Sequence, residues 1–514
     1  MLSIIKSVAL HGLDGYLVSI QVDVSPGLPS FEIVGLPDTS VKEAKERVKT
    51  AIKNSEEEFL SRRIIVNLSP ANIKKEGSNF DLAIAIGILV ANGNICTSNL
   101  ELILKDTIFI GELSLDGRIE QVKGVLPICI EAKNLGIKRI ILPKGNAKEA
   151  SIIDNIEIIP VSYLNEVKDF LNNKIDIQNI INQKSHSYPD LLYPFDFSDV
   201  KGQENVKRAL EIAAAGGHNC LLIGSPGSGK TMLAKCLPSI LPDLTFDESL
   251  EVTKIHSISG LLNEDNPLIL TRPFRSPHHT ITETSLIGGG RIPKPGEISL
   301  AHYGVLFLDE LTEFNKSTLE VLRGPIEDKK VTISRVNSSI TYPCNFMFIA
   351  SMNPCPCGYF GSKEKKCSCK EEQIKKYINK ISGPLLDRID IHIEVDGIKY
   401  DKLGNPTPSE TSAEIRKRVN IARNLQLDRY KKYHIFSNSE LTPSLINKYC
   451  KLSQECNLIL ESAFNRLGLS ARAYSRILKV ARTIADLDDS SDIKVSHLAE
   501  AIQYRSLDRK YWKR

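Results

Sequence analysis

The stretch Gly224-Ser-Pro-Gly-Ser-Gly-Lys-Thr231 decides the fold of the central part of this chain. It fits G-x-x-x-x-G-K-[ST] at every fixed position, follows the apolar run Cys220-Leu-Leu-Ile223 and leads into the helical pattern Met232-Leu-Ala-Lys-Cys-Leu237. Strand, glycine-rich turn and helix in this order bind phosphates, because backbone N–H groups and the helix N-terminus face the anion. The motif predicts that Lys230 contacts the β- and γ-phosphates of a nucleotide and that Thr231 is a ligand of Mg²⁺.

A second apolar strand, Val305-Leu-Phe-Leu308, ends in the carboxylates of Asp309 and Glu310. Carboxylates at the carboxyl end of a strand lie where open α/β sheets place their ligands. Asp309 is therefore expected to bind Mg²⁺, and Glu310 to orient or deprotonate the attacking water. Together with the phosphate loop, this pair predicts ATP hydrolysis.

The composition is that of an ordinary globular protein. Of 514 residues, 42% are hydrophobic and 25% are charged, and at roughly 150 residues per domain the length predicts about three domains. Lys+Arg 66 against Asp+Glu 62 gives a net charge of +4, which excludes a histone-like or acidic-tail protein but not a local basic surface. The sequence has no apolar run of the ~18 residues that a membrane span needs and no signal-peptide pattern. We therefore expect a cytoplasmic protein with no membrane partner.

Periodicity and composition divide the chain into four segments. Residues 1–171 show mixed α/β patterns, such as the alternation of Val18 to Val24, and residues 172–196 are a polar, proline-containing linker. Over residues 197–400 strands alternate with helices, which predicts a parallel sheet with crossover helices. After a break near residue 401, residues 405–514 are predicted to form a helical domain.

Four of the eleven cysteines fall within fifteen residues, as Cys355, Cys357, Cys367 and Cys369. Four thiolates satisfy a tetrahedral Zn²⁺ ion and leave no open position, so a structural zinc site is expected rather than a catalytic one. The C-x-C spacing is tighter than the usual one. Four reduced thiols on an ordinary loop are the alternative that the sequence leaves open.

Further motifs carry a family resemblance. Ala350-Ser-Met-Asn353-Pro and Gly383-Pro-Leu-Leu-Asp-Arg388-Ile-Asp390 resemble those of AAA+ ATPases, most closely the magnesium-chelatase-like branch. Within that branch, Arg272-Pro-Phe-Arg-Ser-Pro-His-His279, Pro295-Gly-Glu-Ile-Ser-Leu-Ala-His302 and Phe31-Glu-Ile-Val-Gly-Leu-Pro-Asp38 resemble the YifB/ComM family. The resemblance covers essentially the whole chain. It implies an AAA+ domain followed by a helical lid.

The resemblance assigns roles to three polar residues. Asn353 matches the sensor-1 position beside the γ-phosphate, Arg388 matches the arginine finger that reaches a neighbouring subunit's nucleotide, and Arg472 matches sensor 2. The alternative for Arg388 is a structural ion pair with Asp387 or Asp390, and for Arg472 an ordinary solvated side chain. The residues expected to bind ATP are Val200, Gly202 and Gln203, which border the adenine, and Gly224, Ser225, Pro226, Gly227, Ser228, Gly229, Lys230, Thr231 and Met232.

Helix electrostatics also bears on the position of Arg472. Ser470 is a good N-cap for a helix over residues 471–485, so Arg472 lies in the first turn of that helix. A cation there opposes the helix dipole by about a few tenths of a kcal/mol. An anionic partner such as a phosphate would explain the placement.

Residues 1–171 resemble the Lon-protease-type domain, a fold shared with domain 2 of ribosomal protein S5. A functional domain of this type needs a serine nucleophile and an activating lysine. Asn79 falls on the serine position of Lys75-Glu-Gly-Ser-Asn-Phe-Asp81, with Ser78 beside it, and Leu126 falls on the lysine position. We therefore expect a non-proteolytic domain.

Two basic insertions are candidates for nucleic-acid contact. Residues 329–341 alternate apolar and polar side chains and predict a hairpin, and residues 271–294 form the second insertion. A basic hairpin in a ring pore suits a phosphate backbone, whereas a solvated strand pair is the alternative. The candidate DNA-contacting residues are Lys329, Lys330, Arg335, Arg272 and Arg275.

The YifB/ComM resemblance implies a DNA-acting ATP motor. Members promote branch migration when incoming DNA is integrated during natural transformation, and the family implies a homo-oligomeric ring, usually a hexamer, on branched or single-stranded DNA. Two alternatives stay open: a motor subunit of a metal-chelatase-type complex, which normally lacks the Lon-like domain, and a Lon-like ATP-dependent protease, which Asn79 and Leu126 disfavour.

Overall fold

The computed structural model describes residues 2–179, 193–263, 267–290, 293–335, 338–362, 365–397, 410–433 and 435–512. The chain divides into two compact units. Unit 1 comprises Met1–Ser187 and Ser249–Ile269, and unit 2 comprises Tyr188–Glu248 and Leu270–Arg514. Most of the predicted linker at 172–196 and of the predicted break after residue 401 lies outside the described residues.

Unit 1 contains a seven-stranded mixed sheet in the order β3-β4-β2-β1-β5-β8-β9. Its strands are β1 Leu2–His11, β2 Asp14–Ser25, β3 Ser30–Val34, β4 Arg63–Ser69, β5 Thr107–Phe109, β8 Arg139–Pro143 and β9 Glu157–Val161, with β6 Glu112–Leu113 and β7 Ile119–Glu120 in a separate pair. Its helices are α1 Thr39–Asn54, α2 Asp81–Asn92, α3 Leu100–Lys105, α4 Val125–Asn134, α5 Ala147–Ala150 and α6 Leu164–Leu171.

The sequence explains the two elements at the centre of this unit. In β2 the alternating apolar residues Val18 to Val24 are all buried, so one face of the strand packs into the core. Helix α2 is buried along nearly its whole length, because its sequence is apolar on every side. It ends at Gly93, whose φ of 86° terminates the helix without a Cβ clash.

Unit 2 contains a five-stranded sheet in the order β11-β14-β17-β10-β18, with every pairing parallel. Its strands are β10 Cys220–Gly224, β11 Phe274–Arg275, β14 Val305–Leu308, β17 Met347–Met352 and β18 Ile391–Val395, and two-stranded ribbons are formed by β12 Gly288–Gly289 with β13 Lys294–Pro295 and by β15 Lys330–Arg335 with β16 Ser338–Pro343. The second ribbon confirms the predicted hairpin, although its tip, residues 336–337, lies outside the described residues.

Helices cover the sheet of unit 2 and then form its carboxyl-terminal part. They are α7 Glu204–Gly216, α8 Lys230–Cys236, α9 Phe246–Ser259 (which continues into unit 1), α10 Glu283–Ile287, α11 Glu297–Leu300, α12 Lys316–Glu320, α13 Arg323–Asp328, α14 Glu371–Ile378, α15 Gly383–Leu386, α16 Ser412–Tyr430, α17 Pro443–Tyr449, α18 Gln454–Leu467, α19 Ala471–Leu487, α20 Val495–Gln503 and α21 Leu507–Tyr511. The predicted α/β class, with a parallel sheet and a helical carboxyl-terminal region, is confirmed. Within the described ranges, none of the helices is long and apolar enough to cross a membrane.

The sheet order of unit 2 positions the site. Strands β14, β17 and β10 are adjacent and parallel, with Ile223 paired to Met352 and Leu308 paired to Ala350. Because parallel strands end at the same edge, the segments that follow these three strands converge there.

Candidate functional site

The phosphate loop follows β10 and needs glycine at three positions. A Cβ on Gly224 would lie 2.4 Å from the carbonyl oxygen of Val395. Gly227 and Gly229 have φ angles of 76° and 87°, which L-residues with a side chain rarely adopt. The loop therefore closes into the turn that places α8 directly behind it.

Lys230 begins α8 and its side chain turns back over the loop. Its Nζ donates to the carbonyl oxygens of Gly224 and Ser225, each at 2.8 Å, and to Oδ1 of Asn353 at 3.2 Å. Burial lowers the pKa of Lys230, while the nearby charges of Asp309 and Glu310 raise it. The structure thus brings together the lysine of the loop and the residue predicted at the sensor-1 position.

Thr231 and Asp309 meet across the strand ends. Thr231 Oγ1 donates to Asp309 Oδ2 at 2.7 Å, and Ser351 Oγ donates a short bond to Asp309 Oδ1. A hydroxyl and a carboxylate oxygen at this distance are the hard ligands that Mg²⁺ prefers beside substrate phosphates. The donor set therefore fits the predicted magnesium site.

Glu310 has an unusual backbone conformation. Its φ and ψ of 51° and 52° are left-handed, and its N–H is held by Asp309 Oδ1 at 3.1 Å and by Ser351 Oγ at 3.2 Å. Such strain in a non-glycine residue persists only where surrounding contacts enforce it, and it clusters at functional sites. The backbone therefore turns at Glu310, directly after the strand and Asp309.

The other predicted nucleotide-binding residues surround the loop. Gly202 and Gln203 both have positive φ, at 64° and 63°, immediately before α7, and Val200 is buried. The Gln203 side chain donates a short bond to the carbonyl of Asp396, which follows β18. Ser228 is buried, with no hydrogen-bond partner for its hydroxyl among the described residues. Pro226 and Met232 are exposed.

Arg472 lies in the first turn of α19, as predicted. Ser470 caps this helix by accepting from the N–H of Ala473. The Arg472 side chain is 58% exposed and its nearest acid is Asp387, with Nη1 3.7 Å from Oδ2. A weak, solvated pair of this kind leaves the guanidinium available to a stronger anion.

Arg388 occupies a different setting from the one predicted. It is only 6% exposed, and its nitrogens donate to Glu327 Oε2 at 2.6 Å, to the carbonyl of Arg323 at 3.0 Å and to that of Pro384 at 2.6 Å. The alternative pairing with Asp387 or Asp390 is replaced by the pair with Glu327. A buried guanidinium needs hydrogen-bond acceptors, and the fold supplies these three. To act at a neighbouring subunit's nucleotide Arg388 must exchange these contacts, and that role stays a prediction.

The four clustered cysteines come together in space. Their four Sγ atoms all lie within 4.8 Å of one another, with Cys355, Cys357 and Cys367 separated by 3.4 to 3.7 Å. Four thiolates around zinc at ~2.3 Å have sulfur–sulfur distances of about 3.8 Å. All eleven cysteines are free thiols. The cluster therefore has the size and chemistry of a tetrahedral Zn²⁺ site.

Backbone N–H groups point at these sulfurs. The N–H groups of Phe360, Cys357 and Cys369 donate to Sγ of Cys355, Cys369 and Cys367 at 3.3 to 3.4 Å. Burial raises the pKa of Cys357, but hydrogen bonds from the N–H groups of Tyr359 and Ser368 outweigh it and bring the pKa to about 5. Such N–H···S bonds favour the thiolate of Cys357, the form that binds a metal, whereas burial raises the pKa of Cys355 and of Cys369.

Three of the five candidate DNA-contacting residues are engaged within the subunit. Arg272 donates to the carbonyls of Pro242 and Tyr303 and pairs with Glu248 at 3.1 Å, with 11% of its side chain exposed. Arg275 forms a two-pronged pair with Glu297 at 2.6 and 2.8 Å. Burial lowers the pKa of Lys329. Arg272 and Arg275 are thus held by internal acceptors in place of a phosphate backbone, and Lys329 is half-buried.

The remaining two candidates, Lys330 and Arg335, are exposed on the hairpin. Val331 and Ile333 are buried, so the inner face of β15 packs on unit 2. The polar side chains between them project outward. Of the five candidates, Lys330 and Arg335, at the two ends of β15, are thus the exposed ones.

In unit 1 the two Lon-type catalytic positions hold residues without that chemistry. Asn79 donates from Nδ2 to the carbonyl of Val8 at 3.1 Å, and Leu126 is fully buried. Ser78 donates a short bond to Glu112 rather than to a lysine. That this domain is non-proteolytic stays a prediction.

Sequence reasoning missed two residues that hold the site together. Ser351 binds Asp309 and the N–H of Glu310, and Glu327 binds Arg388. Ser351 precedes Asn353 by two positions, and residues at this spacing share one face of a strand, so the signal was present. Glu327 is distant in sequence from Arg388 and carried no such signal.

Comparison with known proteins agrees with this geometry. Family models match residues 196–403 (magnesium chelatase, subunit ChlI), residues 20–146 (subunit ChlI of Mg-chelatase) and residues 409–505 (magnesium chelatase, subunit ChlI C-terminal). Competence protein ComM of Haemophilus influenzae is 43% identical over 512 residues, which is 99% of this chain and 98% of the relative. The uncharacterized protein YifB of Escherichia coli is 42% identical over 509 residues, with the same coverage. The magnesium-chelatase 38 kDa subunit of Cereibacter sphaeroides is 25% identical over 177 residues, 31% of this chain and 53% of that protein.

Proposed function

Because the chain belongs to the ComM/YifB family of magnesium-chelatase-like AAA+ ATPases, we propose that it hydrolyses ATP to drive branch migration of DNA as a ring of identical subunits. The observation that carries the ATPase part is the convergence of Lys230, Asp309 and Asn353 at the ends of three adjacent parallel strands. The competence protein of Haemophilus influenzae supports a role with incoming DNA in natural transformation. Free thiols throughout suit the cytoplasm.

We assign each residue a step in hydrolysis. Thr231 and Asp309 would hold Mg²⁺, which would neutralise negative charge on the phosphates. Lys230 places its ammonium where charge develops on the transferred phosphoryl group. Glu310, at the backbone turn after β14, orients the attacking water or accepts its proton. Asn353 holds Lys230 through its amide oxygen and keeps its amide nitrogen for the γ-phosphate or water.

Contact with DNA is assigned to the hairpin. Lys330 and Arg335 are exposed and cationic, and they lie at the two ends of β15. Contacts with the phosphate backbone depend on charge rather than base sequence. This fits a motor that moves along or remodels DNA of any sequence.

The test is ATP hydrolysis measured with no DNA, with single-stranded DNA and with a four-way junction. We expect DNA to stimulate hydrolysis and ATP to drive strand exchange at the junction. Lys230→Ala and Glu310→Gln should abolish both activities, whereas Lys235→Ala on the same helix and Glu313→Gln just after the strand should leave them intact. Absence of DNA binding at low salt would refute the DNA role and leave the ATPase standing.

A second candidate is a chelatase-type motor, favoured by the magnesium chelatase models that match three regions of the chain. The curated chelatase subunit of Cereibacter sphaeroides, however, aligns with only 31% of it. Stimulation of ATP hydrolysis by a porphyrin, without any effect of DNA, would favour this candidate.

We also propose that Cys355, Cys357, Cys367 and Cys369 hold a structural zinc ion. Elemental analysis of the purified, untagged protein should find one zinc per chain. Cobalt substitution should give the absorption of a tetrahedral thiolate complex.

A further inference from the structure

The cysteine cluster and the nucleotide site are joined by one short segment. After β17, Asn353 reaches Lys230, and two residues later Cys355 contributes a buried sulfur to the cluster. The carbonyl of Cys355 then accepts from the N–H of Gly358 at 2.9 Å. The turn that bears the sensor-1 residue therefore ends at the proposed metal site.

Gly358 also touches the phosphate loop. A Cβ built on it would lie 2.4 Å from Cδ and 2.6 Å from Cγ of Pro226. Its φ of 83° is left-handed, so glycine is required both for the backbone turn and for this close approach. The segment that bears the four cysteines, residues 355–369, is called the cysteine loop. At Gly358 it lies directly against Pro226, in the central part of the phosphate loop.

The other side of the cysteine loop is anchored to the sheet. The ring of Phe360 packs edge-on against Tyr511 at 6.1 Å between centroids. Tyr511 donates from its hydroxyl to Glu394 at 2.9 Å, and Lys510 pairs with the same carboxylate at 2.6 Å. Glu394 lies on β18 opposite Ile223 of β10, the strand that leads into the phosphate loop. The cysteine loop therefore lies between the phosphate loop on one side and, through Tyr511, Glu394 of β18 on the other.

We propose that the metal bound by the four cysteines acts as a brace on the phosphate loop, so that metal occupancy sets the affinity for ATP. This inference rests on the proposed zinc site and the proposed ATP site. With the ion bound, Gly358 is held against Pro226 of the phosphate loop. Without it, only weak sulfur–sulfur hydrogen bonds of 3.4 to 3.7 Å tie the cysteine side chains together. The segment 355–369 then gains the conformational freedom that the metal had removed, and the contact of Gly358 with Pro226 is lost.

The first experiment removes the metal and measures nucleotide binding. Metal content is determined by elemental analysis, and the Kd of a fluorescent ATP analogue by titration, for the wild-type chain, Cys369→Ser and Cys96→Ser. Cys96 is an exposed cysteine of unit 1, so it controls for the loss of a thiol. We expect Cys369→Ser to lose the metal and bind the analogue about tenfold or more weakly, while Cys96→Ser matches the wild type in both measurements.

The second experiment breaks the brace and leaves the metal ligands in place. Gly358→Ala should retain one metal per chain and still bind the analogue more weakly, because its new methyl group displaces Pro226. Gly93→Ala is the matched control, since Gly93 has a φ of 86° and open space around its Cβ position. A thermal melt followed by circular dichroism shows whether each variant is folded.

The outcomes separate the brace from the functions on which it rests. A folded Cys369→Ser chain that has lost its metal but binds the analogue as the wild type does would overturn the brace and leave the zinc and ATP proposals intact. A purified wild-type chain without metal would overturn both the zinc site and the brace. A wild-type chain that does not bind the analogue would refute the ATP proposal itself. If Cys369→Ser is unfolded, Gly358→Ala alone decides: unchanged affinity with metal retained counts against the brace.

Discussion

Arg388 donates from Nη2 to Glu327 Oε2 at 2.6 Å, an ion pair formed inside the subunit. Its other nitrogens satisfy the carbonyls of Arg323 and Pro384. Arg388→Ala leaves these acceptors without donors in a largely buried place, so we expect the free energy of unfolding to fall by about 2 to 3 kcal/mol. Urea denaturation measures this loss.

Two further variants separate this structural role from one at a neighbouring nucleotide. Glu327→Gln keeps an acceptor oxygen at a half-exposed position, so its loss should stay below about 1 kcal/mol. Mixing Arg388→Ala with Lys230→Ala chains restores hydrolysis only if Arg388 acts across a subunit interface. Unchanged stability of Arg388→Ala would contradict the structural assignment.

Asn353 is expected to matter for hydrolysis rather than for nucleotide binding. Its amide oxygen Oδ1 accepts a hydrogen bond from Lys230 Nζ at 3.2 Å. The amide nitrogen Nδ2 is left to face the γ-phosphate. Asn353→Ala removes one donor aimed at developing charge, so kcat should fall by about 10²-fold. The Kd for ATP should change little, because the phosphate loop is intact.

The control for this prediction is a matched amide elsewhere in the same unit. Asn315→Ala, at the start of α12, should leave kcat unchanged. A large rise in Kd for Asn353→Ala with normal kcat would instead place Asn353 in ground-state binding.

Local motifs gave the nucleotide site, because each of its parts is encoded by consecutive residues. The loop 224–231, the strand that ends in Asp309 and the segment around Asn353 each show their chemistry within a few positions. Parallel strands then bring them to one edge with no further information. The cap at Ser470 and the hairpin from Lys330 were predictable for the same reason.

The partners of buried charges were not predictable, because they depend on packing between distant segments. Arg272 looked like a basic pore residue but is satisfied by Glu248 and by two carbonyls. Packing between distant segments also decides which unit a segment joins. Residues 249–269 belong to unit 1, although they lie within the stretch predicted as the ATPase domain. Periodicity reports which face of a segment is buried, not what buries it.

Asp81 should make the stability of unit 1 depend on pH. Burial raises the pKa of its carboxyl to about 6, although its pair with Arg47 at 2.7 Å lowers it. The folded chain then holds a proton that the unfolded chain, with an ordinary pKa of 3.8, has released. The stabilising contribution is therefore full below pH ~4 and is lost as the pH rises through ~6, a change of about 2 to 3 kcal/mol.

Hydrogen exchange of the α2 amides at pH 4 to 7 measures this effect within unit 1. Asp81→Asn cannot titrate. The stability of the wild type relative to this variant should therefore fall between pH 4 and 7 by the amount given above. Asp116→Asn, an exposed aspartate of the same unit, is the matched control. Parallel profiles for wild type and Asp81→Asn would show that Arg47 keeps the carboxylate ionised.

The hairpin should carry the salt-dependent part of DNA binding. Lys330 and Arg335 are exposed on β15, whereas Arg272 is held by internal acceptors. Each phosphate contact contributes about 0.7 to 0.9 to the slope of log K against log salt concentration. We expect Lys330→Ser and Arg335→Ser each to lower that slope by this amount, and Lys133→Ser, which removes one exposed charge from unit 1, to leave it unchanged.

The double variant Lys330→Ser with Arg335→Ser tests whether the two contacts act together. Contacts that act independently lower the slope by about twice the single amount, because counterion release is additive over phosphates. DNA-stimulated hydrolysis should fall with the slope while hydrolysis without DNA is retained, since neither side chain reaches the phosphate loop. An unchanged slope in the double variant would show that the hairpin does not contact the DNA phosphates.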